Sequence, residues 1–454
     1  MKTTKEGLIE ELKAKSCNKI KLAIVDIDGV LRGKVVSLDK FISMLDGGLG
    51  FCAVVFGWDM EDKSYDNVSV TGWHTGYPDF QARIDLSTQR QIPWDQDMPF
   101  FLADFEKDKD QGALVCPRSL LKRIKQKALD AGFMPQFSQE FEWFNFEVTP
   151  EAFGNEKPDL AKPMTPGMFG YSILRASLKS EYFNDLFELC HRFEIPLEGL
   201  HTETGPGVYE AAIQYSEILL AADRAVLFKT SVKEIAYRHG LMATFMAKWS
   251  ETLPGNGGHV HQSLWDKNLE NNLFYEPEGK WQMSKVMEQY IAGQLHCLPY
   301  MLPMFAPTIN SYKRLVEGAW APTTLTWARD NRTTALRVLS GGKKSTRLET
   351  RVIGSDVNPY LAMAACLAAG LYGIEQQLEL NKTATVGNGY KDYSNGTIPT
   401  SLKEASSLMK NSDLANDLFG EAFVQHFCKT REWECREFDA KVTDWERKRY
   451  FEII

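Results

Sequence analysis

Three things are missing from this 454-residue sequence: a lysine- or arginine-rich run, a C-x-x-C pair, and an apolar stretch long enough to cross a bilayer. Acidic side chains outnumber basic ones by 60 to 52, giving a net charge of −8. A protein that grips a phosphate backbone concentrates lysine and arginine on some face, so nucleic acid is not an expected partner. The eight cysteines (Cys17, Cys52, Cys116, Cys190, Cys297, Cys366, Cys428 and Cys435) are scattered without metal-ligand or redox spacing, which points to reduced thiols. The longest greasy segment, Tyr360 to Ile374, is rich in alanine and glycine. It falls short of the ~20 apolar residues of a membrane span and reads as a buried helix. The opening MKTTKEGLIEELKAKS is charged and amphipathic, without the apolar centre of a signal peptide. The expectation is a cytoplasmic α+β protein with no membrane partner.

What is present is a large apolar complement, 44% hydrophobic and 12% aromatic, enough for two or three domains or one large one with an accessory piece. KLAIVDIDGVLRGKVVSL reads as two strands joined by a glycine-containing turn. A looser region follows to about residue 112. CPRSLLKRIKQKALDAGF is a helix, with Pro117 in its first turn and Leu120, Leu121, Ile124 and Ala128 as its apolar stripe. A boundary just before it divides the chain into residues 1–112 and 113–454. Beyond come a strand in QFSQEFEWFNF, helices near 178–193 and 217–239, and strands at 242–248, 258–265, 323–329, 334–339 and 346–352. A long helix over 359–380, a Gly- and Asn-rich loop at 381–398 and a helical tail from SLKEASSLMK complete the chain.

Three local strings suggest phosphate chemistry and fail. Asp26-Ile27-Asp28-Gly29 has the D-x-D-G form of haloacid-dehalogenase-type phosphatases, but RGKVVSL continues at once as a strand, so a turn-forming aspartate pair fits better. Gly341-Gly342-Lys343-Lys344-Ser345 resembles the end of a Walker loop, yet the required first glycine falls on Arg337. Leu253-Pro254-Gly255-Asn256-Gly257-Gly258 is a glycine-rich turn too generic to mean phosphate by itself.

The informative signal is polar residues at i, i+2 inside apolar strands. Strands alternate faces, so Glu140 and Glu142 point one way while Phe141 and Trp143 point the other. His259 and His261 repeat the device, as do Arg347, Glu349 and Arg351, with Arg332 and Arg337 on a neighbouring segment. Glu203 and Glu210 flank the turn Gly205-Pro206-Gly207. One such pair is ordinarily the solvated face of a half-buried strand. Several on separate segments imply convergence, and convergent carboxylates repel unless cations neutralise them. Oxygen-rich ligands with a single imidazole suit Mg²⁺ or Mn²⁺ better than zinc. Arginines beside such ions are what a transferring phosphoryl group requires. The residues alone therefore point to metal-dependent phosphoryl chemistry without a P-loop.

These motifs resemble those of the glutamine synthetases. EFEWF is similar to the family's E-x-E strand, HTETGPGVYE to its H-x-E…G-x-x-E segment, and GNGGHVHQSLW to its glycine-rich ATP segment. NSYKRLVEGAWAP, DNRTTALRV and TRLETRVIGSDVNPYLAMAACLAAGL follow in the family's order, so the likeness is strong over residues 113–454 and weak before them. The resemblance implies a small β-grasp-like N-terminal domain and a large catalytic domain with a mostly antiparallel open barrel. The implied assembly is a homo-oligomeric ring, a dodecamer or similar, with the N-terminal region completing the neighbour's site. Two or more Mg²⁺ or Mn²⁺ ions per site are implied, with ATP as co-substrate. Glu142, Glu203 and Glu210 would hold the ion facing the acid, and Glu140, His259 and Glu349 the ion facing ATP. Arg314 and Arg351 would receive glutamate's carboxylates, with Gly255 and Tyr171 also at the substrate. Arg332 would stabilise the phosphoryl group in transit, and His261, Ser263, Arg337, Lys344 and Arg347 would lie along the nucleotide.

Departures from the pattern bear on the substrate. Where ammonia-using members carry glutamate after N-S-Y-K-R-L, this chain has Trp320. The D-G-S-S string of the ammonium site is replaced by FGWDMEDKSYD, leaving Asp59 or Asp62 as substitutes. Pro254 stands where asparagine is expected, and Val208 where glutamine is. These changes resemble the branch that joins glutamate to organic amines. The expected reaction is ATP-dependent γ-glutamyl amide formation from glutamate and a polyamine, alkylamine or aromatic amine, through γ-glutamyl phosphate. Ordinary glutamine synthetase and a catalytically silent structural relative are the alternatives.

Overall fold

The computed structural model describes residues 4–105, 111–155 and 161–454, and among them the strands form two mixed sheets. In the six-stranded sheet β1 (Lys19–Val25) pairs antiparallel with β2 (Leu31–Ser37) and parallel with β6 (Met98–Phe105). The antiparallel partners β3 (Leu49–Cys52), β4 (Asp79–Ile84) and β5 (Arg90–Ile92) complete it. The sequence reading passed over β6, and the reason is physical. MPFFLADF is buried along its whole length, so the alternation that betrays a half-exposed strand never develops.

The D-x-D-G string is a hairpin turn. Asp26 accepts the backbone amides of Asp28 and Val30 at 3.0 and 2.9 Å, and Asp28 pairs with the buried guanidinium of Arg431 at 2.6 Å. Both carboxylates are thus engaged in holding structure, and none of the paired strand geometry leaves room for the helical excursion a phosphatase needs.

The nine-stranded sheet is organised by β7 (Met134–Phe146), a thirteen-residue strand. Along one side β7 pairs antiparallel with β12 (Val260–Trp265); β12 pairs with β15 (Arg347–Thr350), then β14 (Leu336–Leu339) and the parallel β13 (Trp327–Arg329) follow. On the other side lie β9 (Val208–Ile213) and β8 (Leu197–Thr202), while the short β10 (Ser216–Glu217) and β11 (Met242–Thr244) also bond β7. Phe141 and Trp143 are fully buried on the back of β7, against Phe228 of the helix Ile218–Arg238 and against Phe245. The greasy segment is the buried helix Pro359–Glu375, and among the described residues no helix is long and apolar enough to cross a membrane.

Several expected elements are shorter than anticipated. The strand expected over 242–248 stops at Thr244, because Asn256 Nδ2 caps the carbonyl of Met246 at 2.8 Å and Asn310 Oδ1 takes the amide of Lys248 at 2.8 Å. Side chains replace the ladder there. The helix expected over 359–380 ends at Glu375, followed by Gln377 in the left-handed region, and the helix expected near 178–193 runs over Ser180–Arg192, preceded by an unanticipated short helix Ile173–Leu178.

Arg118, on the helix Pro117–Asp130, joins the two sheets' surroundings. It is 1% exposed and reaches Asp223 through two bonds of 2.9 Å, Asp85 at 2.9 Å, and Asp104 on β6. Tyr360 donates to the same Asp223 at 2.6 Å. Lys122 also reaches Asp104 and Asp85, so removing the guanidinium leaves buried Asp223 as the carboxylate without a counter-charge, which costs on the order of 3–5 kcal/mol. Arg118→Leu is therefore expected to lose about that much in urea unfolding; a loss below about 1 kcal/mol would show that the network carries little of the stability.

Candidate active site

The register of the ladders brings the polar stripes together. Glu142 lies opposite Glu210 across β7 and β9, His201 on β8 lies opposite Glu210, and His261 lies opposite Glu349 across β12 and β15. Extended backbone sends alternate residues to one face, so these side chains meet in front of β7 while the aromatics fill the space behind it.

Donor atoms of Glu140, His259 and Glu349 all lie within 4.8 Å of one another. His259 Nδ1 is 2.7 Å from Glu140 Oε1, and His261 Nε2 is 3.2 Å from Glu140 Oε2. Burial alone would raise Glu140, but His261 and His259 outweigh it and hold the carboxyl well below its ordinary range. Glu349, fully buried, is likewise held low against its burial, chiefly by the Arg351 guanidinium. Its carboxylate is clasped between Arg351 and Arg337, the latter at 3.0 Å.

The second group is Glu203, Glu210 and His201, again with donor atoms within 4.8 Å of one another. His201 Nε2 is 3.3 Å from Glu203 and 3.7 Å from Glu210. Burial, then the charges of Glu140, Glu142 and Glu203, push Glu210 up to about 10. Glu142 itself takes the backbone amide of Gly257 at 2.7 Å rather than joining this group directly. The residues fit divalent cations: the donors are hard oxygens with imidazole nitrogens, and buried His259 Nε2 has no partner among the described residues.

Two cavities flank the clusters. One is lined by Gln136, Ser138, Glu140, His261, Ser263, Lys344 and Arg347, with Glu198 and Tyr215 at its edge. Four of the five expected nucleotide residues are there. Arg337 is elsewhere, tied to Glu349 and to Asp330 at 2.6 Å. The other cavity is lined by Glu142, Glu203, Val208, Pro254, Gly255, His259, Arg314, Ala319, Trp320 and Arg351. Gly255 is required by close approach, since a Cβ there would stand 2.4 Å from the carbonyl of Ala247 and 2.9 Å from Arg314 Cγ. Arg314 is buried, its guanidinium bonded only to the carbonyls of Val352 and Arg351 at 3.0 and 3.2 Å, and no carboxylate pairs with it among the described residues. A buried guanidinium that faces a cavity and has no carboxylate in direct contact can receive one from a ligand.

Trp320 is 60% exposed, so it is not packed core, and it sits at φ +58°. That conformation costs a bulky side chain on the order of 1–3 kcal/mol and persists where surroundings impose it. Tyr171 stacks on His201 at 4.7 Å, and the charge of exposed Arg332 reaches it across the mouth of the cluster.

Asp59 and Asp62 are not brought to the site within one chain. Asp59 accepts the amides of Glu61 and Lys63 at 2.9 Å each and the indole N–H of Trp433 at 2.9 Å, and Asp62 pairs with Arg32 at 3.0 Å. Sequence reasoning passed over His201, Gln136, Ser138, Glu198 and Tyr215. Gln136 and Ser138 were available, because they extend the Glu140–Glu142 stripe backwards along the same face of β7.

The profile of the "Glutamine synthetase, catalytic domain" family matches residues 114–450. The chain is 51% identical to type-1 glutamine synthetase 2 of Dictyostelium discoideum, over 98% of this chain and 86% of that protein. It is 36% identical to glutamate–isopropylamine ligase of a Pseudomonas species, over 96% and 95% of the two chains. The solved structure of a GmaS/ADP complex superposes with a TM-score of 0.83 at 27% identity, over 98% of this chain and 99% of that one.

Substituting a ligand by its uncharged isostere tests the clusters directly. Glu203→Gln and Glu349→Gln are each expected to weaken Mn²⁺ binding by about tenfold or more in calorimetry, with the circular dichroism spectrum unchanged. Wild-type affinity in either variant would remove that residue from the metal site.

Proposed function

The chain belongs to the glutamine synthetase family and is an ATP-dependent carbon–nitrogen ligase, and from that premise we propose that it forms γ-glutamyl amides from glutamate and an organic amine. The observation that carries this reading is the wall beside Arg314. Trp320, Val208, Pro254 and Ala319 give that cavity an apolar side, where the ammonia-using pattern has polar groups. An indole takes up no proton at neutral pH and offers one N–H and a broad hydrocarbon face.

The chemistry follows from the poor reactivity of a carboxylate. Arg314 and Arg351 orient the acid, and its γ-carboxylate oxygen attacks the terminal phosphorus of ATP. The phosphorus–oxygen bond to ADP breaks, leaving an acyl phosphate. The amine nitrogen then adds to the acyl carbon, phosphate departs, and the nitrogen gives up a proton. Two or more Mg²⁺ or Mn²⁺ ions, held by Glu140, His259 and Glu349 and by Glu142, Glu203 and Glu210, would supply charge neutralisation to the phosphates. His261, Ser263, Lys344 and Arg347 bind the nucleotide, and Arg332 and Arg337 place positive charge around the transferring group. The apolar wall also discourages water, which would hydrolyse the acyl phosphate.

The same reading divides the chain into an N-terminal domain over 1–112 and a catalytic domain over 113–454. Two clusters of buried apolar side chains support it, one centred on Phe41, Phe56 and Phe101 and the other on Phe141, Tyr290 and Tyr360; the second also draws in Ala23, Val25, Phe100 and Leu102 from the N-terminal sheet. It also makes the active form a ring in which a neighbour's N-terminal domain completes the site. Support comes from the exposed apolar run Met168, Phe169, Ile173, Leu174 and Leu178 beside Tyr171. Ammonia use is the second reading, favoured by the relative at 51% identity.

Burying two or three methylenes against Trp320 is worth on the order of 2 kcal/mol at ~0.8 each, about thirtyfold in kcat/KM. Phosphate release with ATP, glutamate and a panel of alkylamines, polyamines, aromatic amines and ammonium is expected to favour an organic amine by about that factor. Trp320→Ala is expected to erase most of the preference. Ammonium as the best nucleophile would establish ordinary glutamine synthetase activity instead.

A further inference from the structure

Arg314 sits at the end of Ser311–Arg314, a helical turn of four residues. One isolated turn has no cooperative stability of its own, so its direction is set by what grips its ends. The C-terminal end is held by the bonds from Arg314 to the carbonyls of Val352 and Arg351. The N-terminal end is held by a carboxylate that plays no part in the chemistry above, Asp356.

The geometry around Asp356 is specific. Ser311 Oγ accepts the amide of Thr308 at 3.0 Å, and Thr308 Oγ1 accepts the amide of Ser311 at 3.1 Å. Each hydroxyl therefore has its own proton free to donate, and both donate to Asp356 Oδ2, at 2.9 Å from Thr308 and 2.6 Å from Ser311. Oδ1 of the same carboxylate is buried without a partner among the described residues, 2.5 Å from where a Cβ on Gly354 would stand. Asp356 and Arg351 belong to one segment, so that segment holds both ends of the turn. It is itself fixed to the metal strand, because Ser355 Oγ donates to the carbonyl of Glu142 at 2.7 Å.

We propose that Asp356 is a positioning residue that sets the placement of Arg314 relative to Arg351, and thereby the affinity for the acid substrate. This rests on the reading of Arg314 as the acid's receptor. Asp356 lines neither of the two cavities; it acts through the Thr308–Ser311 hydroxyl pair and the turn that follows. Loss of the clamp lets the turn reorient and relaxes the spacing of the two guanidiniums. The nucleotide cavity, built on strands, is untouched.

Steady-state kinetics and glutamate calorimetry on the full-length variants separate this role from a general loss of structure. Asp356→Ala is expected to raise the glutamate KM about tenfold, with kcat and the ATP KM within about twofold of wild type. Asp356→Asn, which keeps a carbonyl oxygen for the two hydroxyls, should lose less than about threefold, and Ser311→Ala should fall between. In an Arg314→Ala background, Asp356→Asn and Ser311→Ala should have no further effect on the glutamate KM. An unchanged glutamate KM in Asp356→Ala, while Arg314→Ala raises it, overturns the clamp alone. So does an equal loss in kcat and in both KM values, or additivity with Arg314→Ala. An unchanged glutamate KM in Arg314→Ala itself overturns the receptor reading and the clamp together. If Asp356→Ala does not fold, the Asn and Ser311 variants decide the same question.

Discussion

Glu142 and Glu210 face one another across neighbouring antiparallel strands, and everything around them answers that repulsion. Directly opposed like charges destabilise a sheet. Here the pair is buried enough that Glu210 holds its proton far above the ordinary carboxylate range. Three responses are built into the fold. Arginines clasp Glu349 from two sides, imidazoles hold Glu140 ionised, and the remaining carboxylates present oxygens where a divalent cation fits. The arrangement makes sense only for a protein that works with cations and with the anions those cations attract.

The constraint also explains the division of labour in the scaffold. The two groups of close-lying donor atoms stand on or next to β7, β8, β9, β12 and β15, whose positions are fixed by ladder hydrogen bonds in front and by aromatic packing behind. Residues lining the cavity at Arg314 are carried differently: Gly255 on a turn, Arg314 on one helical turn, Trp320 on a loop in a left-handed conformation. On the proposed reading, strands carry the phosphoryl-transfer groups and loops carry the groups that select the nucleophile.

Much of this was legible because alternation is a strict rule. E-x-E, H-x-H and R-x-E-x-R each place polar groups on one face, and ladder register does bring Glu140, His259 and Glu349 together. What stayed hidden depended on other kinds of information. Strand β6 has no alternation because both its faces are covered. Arg337 was expected along the nucleotide, yet it lies across from Glu349 on the adjacent strand and pairs with it; which partner a long cation chooses depends on register, not on local spacing. The family resemblance offered Asp59 for a proton-accepting role, but Trp433, 374 residues later in the chain, donates its indole N–H to that carboxylate. His201 stood in plain view inside HTETGPGVYE, and only pairing with β9 shows that it faces Glu210.

The proposed reaction turns on one step: the carboxylate is activated as an acyl phosphate, a mixed anhydride, and an amine then takes the acyl group. Glutamate labelled with ¹⁸O in its γ-carboxylate tests it without reference to which amine is preferred. With ATP, Mg²⁺ and any amine that supports turnover, mass spectrometry of the released phosphate should find one ¹⁸O atom per phosphate, carried over when the acyl–oxygen bond breaks. Unlabelled phosphate accompanying amide formation would mean that the acid's oxygen never reached phosphorus, and would exclude the acyl phosphate route.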